Sequence, residues 1–369
     1  MIALAIALLA GSFAVSAALT AVVKKLAVRS DFVCRPAADR YQPDKQRVVP
    51  LGGGIAISAT LLITILVAMA FMRFLVAPGH FAWIAERAAV DAADFLARID
   101  ELLVIVLSIL ALFVVGLWDD KKHLGPFLKL AAQFTVALVA AAFAEIRVEL
   151  FIESTVISSV LSAFWIVLII NSFNFLDNMD GASAGIAAIV SSILFTAAAF
   201  SGQVFVGAMA LVFIGTLTGF LVFNFPPAKI FMGDAGSLVV GFFVALLTLR
   251  TTYHHEAQSE QWYPVFMPLI VMAVPLYDFI SVTLLRISQG QSPFVGDTQH
   301  FSHRLKRHGL TDAQTALTLY LATLCTGLGA TFLYQVDRIG TVLIFAQTTL
   351  VLSIIAVFET TVKNDRKAD

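Results

Sequence analysis

The chain has 369 residues, of which 59% are hydrophobic and only 13% charged, and its formal net charge is −1 from 24 Lys+Arg and 25 Asp+Glu. Soluble domains carry about 25% charged residues, and a water-soluble chain of this size cannot hide so much apolar surface; with a mean hydropathy of +0.89 it reads as an integral membrane protein. The balanced charge gives no electrostatic basis for nucleic acid as a partner, and two distant cysteines, Cys34 and Cys325, exclude a disulfide scaffold.

A membrane-crossing helix needs about 20 apolar residues. Apolar runs fall at 1–23, 51–72, 102–118, 127–144, 150–170, 184–200, 204–223, 238–250, 264–285, 313–333 and 339–360. They predict an all-α polytopic bundle of about eleven transmembrane helices, forming one domain over 1–369 with the lipid bilayer as its solvent. The ten-residue alternation of barrel strands is absent. The 238–250 run is short and is expected to be tilted, broken or extended by its neighbours.

The first run carries no charge and no basic leader, and Lys24, Lys25 and Arg29 follow it. That order predicts an uncleaved first span with its N-terminus outside. Eighteen Lys and Arg then fall on inner segments and six on outer ones, which places the C-terminus in the cytoplasm. Inner loop 24–50 is basic and contains proline, which suits a topology signal in contact with anionic headgroups as well as it suits substrate binding. Outer loop 73–101 reads as an amphipathic segment without a functional assignment.

Four polar constellations follow in chain order. The first is Gly116-Leu117-Trp118-Asp119-Asp120-Lys121-Lys122, with Lys129 beyond it. Two adjacent carboxylates at the C-terminal end of a span oppose the helix dipole and need a cation. Lys121 and Lys122 could supply it, as could a metal ion or a catalytic lysine. The second is Asn171-Ser172-Phe173-Asn174-Phe175-Leu176-Asp177-Asn178-Met179-Asp180-Gly181, richer in Asn and Asp than a turn requires. Asn174 and Asp177 share a face if the helix continues.

The third runs from Asn224 through Pro226, Pro227 and Lys229 to Gly233-Asp234-Ala235-Gly236. Asp234 opens the next helix, either as a plain N-cap or as a ligand-binding residue whose glycine neighbours admit a close approach. Lys229 reads as buried. The fourth is Asp297-Thr298-Gln299-His300-Phe301-Ser302-His303-Arg304. Its two histidines could bind a metal or donate to phosphate, and Arg304 could grip phosphate oxygens bidentately. All four constellations fall on the cytoplasmic side of the charge-derived topology, and their acids are all Asp. Short carboxylates gathered on one side suit a hard, oxygen-seeking cation.

In this order, from Pro50-Leu51-Gly52-Gly53-Gly54 to Arg304, these motifs resemble the polyprenyl-phosphate N-acetylhexosamine-1-phosphate transferases, the WecA/TagO/MraY superfamily, bacterial glycosyltransferase family 4. The fourth motif is closer to the WecA/TagO branch. The chain departs from the usual pattern at Ser302, where that branch has a His, and at Asn178, where Gly is common. The resemblance implies transfer of a sugar-1-phosphate, expected to be GlcNAc-1-phosphate, from a UDP-sugar to undecaprenyl phosphate. UMP is released, and the product opens the synthesis of a cell-envelope polysaccharide. It also implies Mg²⁺, with Mn²⁺ able to substitute, and a multi-pass protein of the bacterial inner membrane with its active site on the cytoplasmic face. A homodimer is compatible with it.

Carried over to these positions, Asp234 is the leading metal ligand, with Asp119 and Asp177. Asp119, Asp120, Asp177, Asp180, His300 and His303 are the expected catalytic groups. Lys129, Asn174, Asn224, Lys229 and Arg304 are expected to bind substrate. Asp278, inside the ninth apolar run, has no clear role beyond that of a buried partner. The chemistry would be phosphoryl transfer: a lipid phosphate with a second pKa of about 6 is already nucleophilic, so positioning and charge neutralisation should dominate. The competing readings are an MraY-type phospho-MurNAc-pentapeptide transferase and a proton-coupled secondary transporter. Transporter sites favour the membrane midplane, whereas these acids sit at span ends.

Overall fold

A computed structural model describes residues 2–34, 48–76, 95–144, 146–147, 152–251, 263–292 and 300–365. Asp297, most of outer loop 73–101 and the middle of inner loop 24–50 lie outside the described residues. The described residues are helical nearly throughout. Its helices are α1 (Ile2–Arg29), α2 (Gly53–Phe71), α3 (Ile99–Lys122), α4 (Pro126–Phe143), α5 (Thr155–Leu176), α6 (Ala182–Phe200) and α7 (Val204–Asn224). There follow α8 (Asp234–Arg250), α9 (Met267–Val271), α10 (Ala273–Ser288), α11 (Phe301–Arg307), α12 (Asp312–Thr331) and α13 (Arg338–Asp365). Strand among the described residues is confined to the antiparallel pair β1 (Val33–Cys34) and β2 (Val49–Pro50).

Each of the eleven predicted runs coincides with a helix, the 264–285 run with α9 and α10 together. Among the described residues, eight helices are long and apolar enough to cross a membrane, or nine if the pair bent by 63° between Val271 and Ala273 is one span. The two that fall short are α8, with 17 residues, and the more polar α12. The reason is clearest at α8. It packs against α2, α3, α5 and α6, and every residue from Ala235 to Thr248 is buried. A helix apolar on all sides belongs at the centre of a bundle, and one enclosed by protein need not match the lipid thickness.

Glycines set how closely the helices meet at the N-terminal end of α8. A Cβ on Gly54 would lie 2.2 Å from the backbone nitrogen of Gly236, and one on Gly116 would lie 2.4 Å from the carbonyl of Asp234. The backbones of α2 and α3 therefore rest directly on the start of α8. Segment 50–54 is also stitched to the strand-like stretch before α8. Phe231 N donates to Pro50 O at 2.9 Å, while Gly53 N and Gly54 N donate to Phe231 O and Met232 O, both at 2.8 Å. Asp119 and Asp120 lie one turn beyond Gly116, so this packing delivers them to Asp234.

Candidate active site

The site forms where the ends of α3, α4, α5 and α8 converge. Lys129, in the first turn of α4, places its Nζ 2.9 Å from Asp119 Oδ2 and 2.5 Å from Asp234 Oδ2. Asn174, near the end of α5, donates from Nδ2 to Asp234 Oδ1 at 2.7 Å, and the same nitrogen lies 2.8 Å from Ser237 Oγ. Asp119 Oδ1 accepts from Leu124 N at 2.5 Å, which turns the chain from α3 into α4.

The neighbouring Asp120 does something different. Its Oδ1 accepts from Asp234 N at 2.8 Å and its Oδ2 from Ala235 N at 3.1 Å. Asp120 therefore caps α8 from another helix. The N-cap position itself is Gly233, at φ 72°, and no side chain of α8 caps its own helix. A Cβ on Gly233 would sit 2.8 Å from Asp120 Oδ2, so both the backbone conformation and the space require glycine. The cations opposing the helix-end carboxylates are thus Lys129 for Asp119 and the positive N-terminus of α8 for Asp120. Lys121 and Lys122 are exposed, and Lys121 lies over the Phe32 ring.

The loops beside this cluster are pinned by the other motif residues. Asn224 accepts from Gly181 N at 3.0 Å and donates to Ile230 O at 2.9 Å. Asp180 Oδ2 accepts from Ala228 N at 2.9 Å. Asn224 and Asp180 thereby tie the loop after α5 to the Pro-Pro loop that leads into α8. Asp177 is the C-cap of α5. Lys229, expected to be buried, is exposed, because the loop turns its side chain outward while its backbone N–H bonds Phe223 O at 2.7 Å.

The fourth motif docks on the other side of the α5 terminus. His300 is the buried N-cap residue of α11. Its Nδ1 lies 3.0 Å from Asp278 Oδ2 on α10, and Phe301 N donates to Asp278 Oδ1 at 2.7 Å. Arg286, two turns along α10 and 2% exposed, stacks its guanidinium over Phe175 at 5.0 Å. Its Nη2 reaches His300 Nε2 at 3.5 Å. Arg304 donates to Ser281 Oγ at 2.9 Å, and Ser302 Oγ donates to Asn178 Oδ1 at 2.6 Å. His303 stands beside His300, with ring centroids 6.5 Å apart.

The sequence model of glycosyl transferase family 4 matches residues 102–252, from α3 to the end of α8. The chain is 28% identical over 311 residues to a probable undecaprenyl-phosphate N-acetylglucosaminyl 1-phosphate transferase of Bacillus subtilis, covering 82% of this chain and 77% of the relative. It is 26% identical over 320 residues to the undecaprenyl-phosphate α-N-acetylglucosaminyl 1-phosphate transferase of Yersinia pestis, covering 84% and 79%. A decaprenyl-phosphate N-acetylglucosaminephosphotransferase of Mycobacterium leprae matches at 29% over 258 residues, covering 63% and 65%. Over 102–252 the chain is similar to glycosyl transferase family 4. The names of these relatives match the WecA/TagO side of the resemblance.

Of the expected metal set Asp119, Asp177 and Asp234, the structure brings Asp119 and Asp234 together at Lys129. Among the described residues, no three His, Cys, Asp or Glu side chains come together as a metal group. Asp177 closes α5 with its N–H on Phe173 O at 3.1 Å, and Asn174, one turn earlier, reaches Asp234. Two carboxylates, Asp119 and Asp234, converge on one point, and the Lys129 ammonium stands between them. Mg²⁺ is commonly held by one or two carboxylates, completed by water and substrate phosphates. The donor chemistry of Asp119 and Asp234 fits such an ion. Asp278 and Arg286 were not among the expected site residues. Their signal was present, as an acid inside an apolar run and an arginine eight residues later on the same helical face.

Proposed function

We propose that this chain transfers GlcNAc-1-phosphate from UDP-GlcNAc to undecaprenyl phosphate and releases UMP, with Mg²⁺ as cofactor. The observation that carries the reading is the meeting of Asp119, Asp120 and Asp234 with Lys129 at one end of the helix bundle. These three carboxylates and one ammonium leave a formal excess of two negative charges, which suits a divalent cation arriving with a diphosphate. The relatives' names supply the sugar and the lipid carrier. The charge bias of the loops supports a cytoplasmic position for this end, and the bacterial relatives support an inner-membrane setting.

A cleft of about 300 Å³ lies between α4, α5 and α10, lined by Leu130, Phe134, Phe164, Asn171, Phe175 and Phe279. Leu130 follows Lys129, so an apolar chain in this cleft would bring its phosphate to the Lys129 ammonium. In the reaction, an oxygen of the lipid phosphate bonds to the phosphorus that carries the sugar. The bridging P–O bond breaks, and UMP leaves with its electron pair. The nucleophile needs no proton removed, since a phosphate monoester is largely dianionic near neutral pH. Lys129 binds phosphate, Asn174 and Lys129 orient Asp234, and Asp120 holds the backbone that carries it. When bound at Asp119 and Asp234, Mg²⁺ would neutralise the diphosphate oxygens. Arg304, His303 and Arg286 supply donors on the sugar-phosphate side.

The test is UMP release by purified protein with undecaprenyl phosphate, Mg²⁺ and a panel of UDP-sugars that includes UDP-MurNAc-pentapeptide. UMP should appear only when lipid phosphate and UDP-GlcNAc are both present, and EDTA should stop it. Full turnover in excess EDTA removes the metal from the reading, and release from UDP-MurNAc-pentapeptide alone reassigns the donor. Solute uptake into vesicles without any UMP release would favour a transporter.

A further inference from the structure

We infer that Asp278 is a positioning residue, which fixes the tautomer of His300 and through it the guanidinium of Arg286; the inference rests on the phosphotransferase reading above. Asp278 is 1% exposed in the middle of α10. A carboxylate at such depth is costly unless it is used. Both of its oxygens are used: Oδ1 takes the backbone N–H of Phe301 and Oδ2 faces His300 Nδ1. A carboxylate only accepts, so the ring hydrogen belongs on Nδ1. The lone pair is then on Nε2, where Arg286 Nη2 approaches at 3.5 Å. Arginine only donates, so this contact is satisfied in the same tautomer and in no other neutral one.

Both ring nitrogens of His300 are therefore committed within the protein. His300 does not itself donate to phosphate; it orients Arg286. Phe175 completes the clamp, with the His300 ring edge-on at 5.4 Å and the Arg286 guanidinium over its face. Phe175 directly follows Asn174, which holds Asp234. The guanidinium plane is thus set relative to the acid cluster through a single turn of α5.

The deciding variant is Asp278→Asn. Asparagine has the same shape and is an equally good helix cap, so its oxygen still receives Phe301 N. Its amide now donates to His300 Nδ1, which drives the ring hydrogen to Nε2, donor against donor with Arg286. Turnover at saturating substrates should fall by about ten- to a hundredfold, the range typical of groups that orient a functional histidine. KM for UDP-GlcNAc should change less. In a His300→Ala background no ring links position 278 to Arg286, and adding Asp278→Asn should then cost less than about twofold. A role limited to capping α11 predicts near-normal turnover in the single variant. Turnover of folded Asp278→Asn within twofold of wild type, or an equal loss in both backgrounds, overturns the inference.

A second arm needs neither turnover nor the Asp278 variant. In protein labelled with ¹⁵N-histidine, the resonance missing from His300→Ala should show a protonated Nδ1 and an unprotonated Nε2. The opposite tautomer refutes the inference even if the wild-type enzyme releases UMP. Absence of UMP release from wild type refutes the phosphotransferase reading and leaves the tautomer result standing on its own.

Discussion

Replacing Asp234 by Asn separates a charge from a shape. Asp234 Oδ1 accepts from Asn174 at 2.7 Å and Oδ2 holds Lys129 at 2.5 Å. Asparagine keeps an acceptor for Asn174 and loses the pair with Lys129, which retains Asp119 at 2.9 Å. The lost pair is partly open to solvent, with Asp234 27% exposed, and such pairs contribute about 0–1 kcal/mol. Removing one of three crowded carboxylates relieves repulsion of similar size, so the melting temperature should stay close to that of wild type. Turnover should not. If Asp234 and Asp119 organise the ion that neutralises the diphosphate, activity falls at least about a hundredfold, or ~2.7 kcal/mol of transition-state stabilisation. Excess Mg²⁺ should recover part of it. A capping role gives no such loss, and Asp120, not Asp234, provides the carboxylate for α8. The assay is UMP release across a Mg²⁺ titration, with thermal melts in parallel. A folded Asp234→Asn protein that turns over at nearly the wild-type rate would take Asp234 out of the site.

Three further outcomes follow from the same geometry. Arg304→Lys keeps the charge and loses the planar fork that reaches Ser281, so activity should drop at every Mg²⁺ concentration; recovery in high Mg²⁺ would contradict this. Gly54→Val drives a side chain into the backbone of Gly236 and should cost about 3 kcal/mol or more of stability, read as a lowered melting temperature or loss of folded protein; a wild-type melt would mean that α2 and α8 can part without penalty. Cys34, half-buried in β1, should resist a membrane-impermeant thiol reagent in intact cells and react after permeabilisation; ready labelling of intact cells would reverse the orientation derived from charge.

The spans were legible because apolar run length is a local property, and each of the eleven runs has its helix. The membership of the acid cluster was legible for the same reason: Asp119, Lys129, Asn174 and Asp234 all belong to polar groups at span ends. Their pairings were not. Adjacent residues on a helix point about 100° apart, so Asp119 and Asp120 face different partners, one across to α4 and the other to α8. Nothing in the run Asp119-Asp120-Lys121-Lys122 announces that the opposing cation stands on the next helix. Lys229 was misread because its flanking apolar residues suggest burial, whereas the Pro-Pro loop presents it to the outside. Arg286 lies just past the 264–285 apolar run and is, in sequence, one more basic residue of an inner segment. Its stacking on Phe175 depends on α10 lying against the end of α5, a tertiary fact that no window of sequence contains.

The hydrogen bond from Ser302 to Asn178 spans 124 positions, and both of its partners are residues at which this chain departs from the pattern of the family it resembles. Asn178 is further committed by donating to Phe175 O at 2.6 Å. Grafting either loop alone from a relative would therefore bring a foreign residue against a native one: a His facing Asn178, or a Gly leaving the Ser302 hydroxyl without its acceptor. Chimeras of this enzyme should be cut so that the segment after α5 and the segment around α11 travel together. In the coupled replacement the two changes should compensate, while each one alone should disturb the seat of His300.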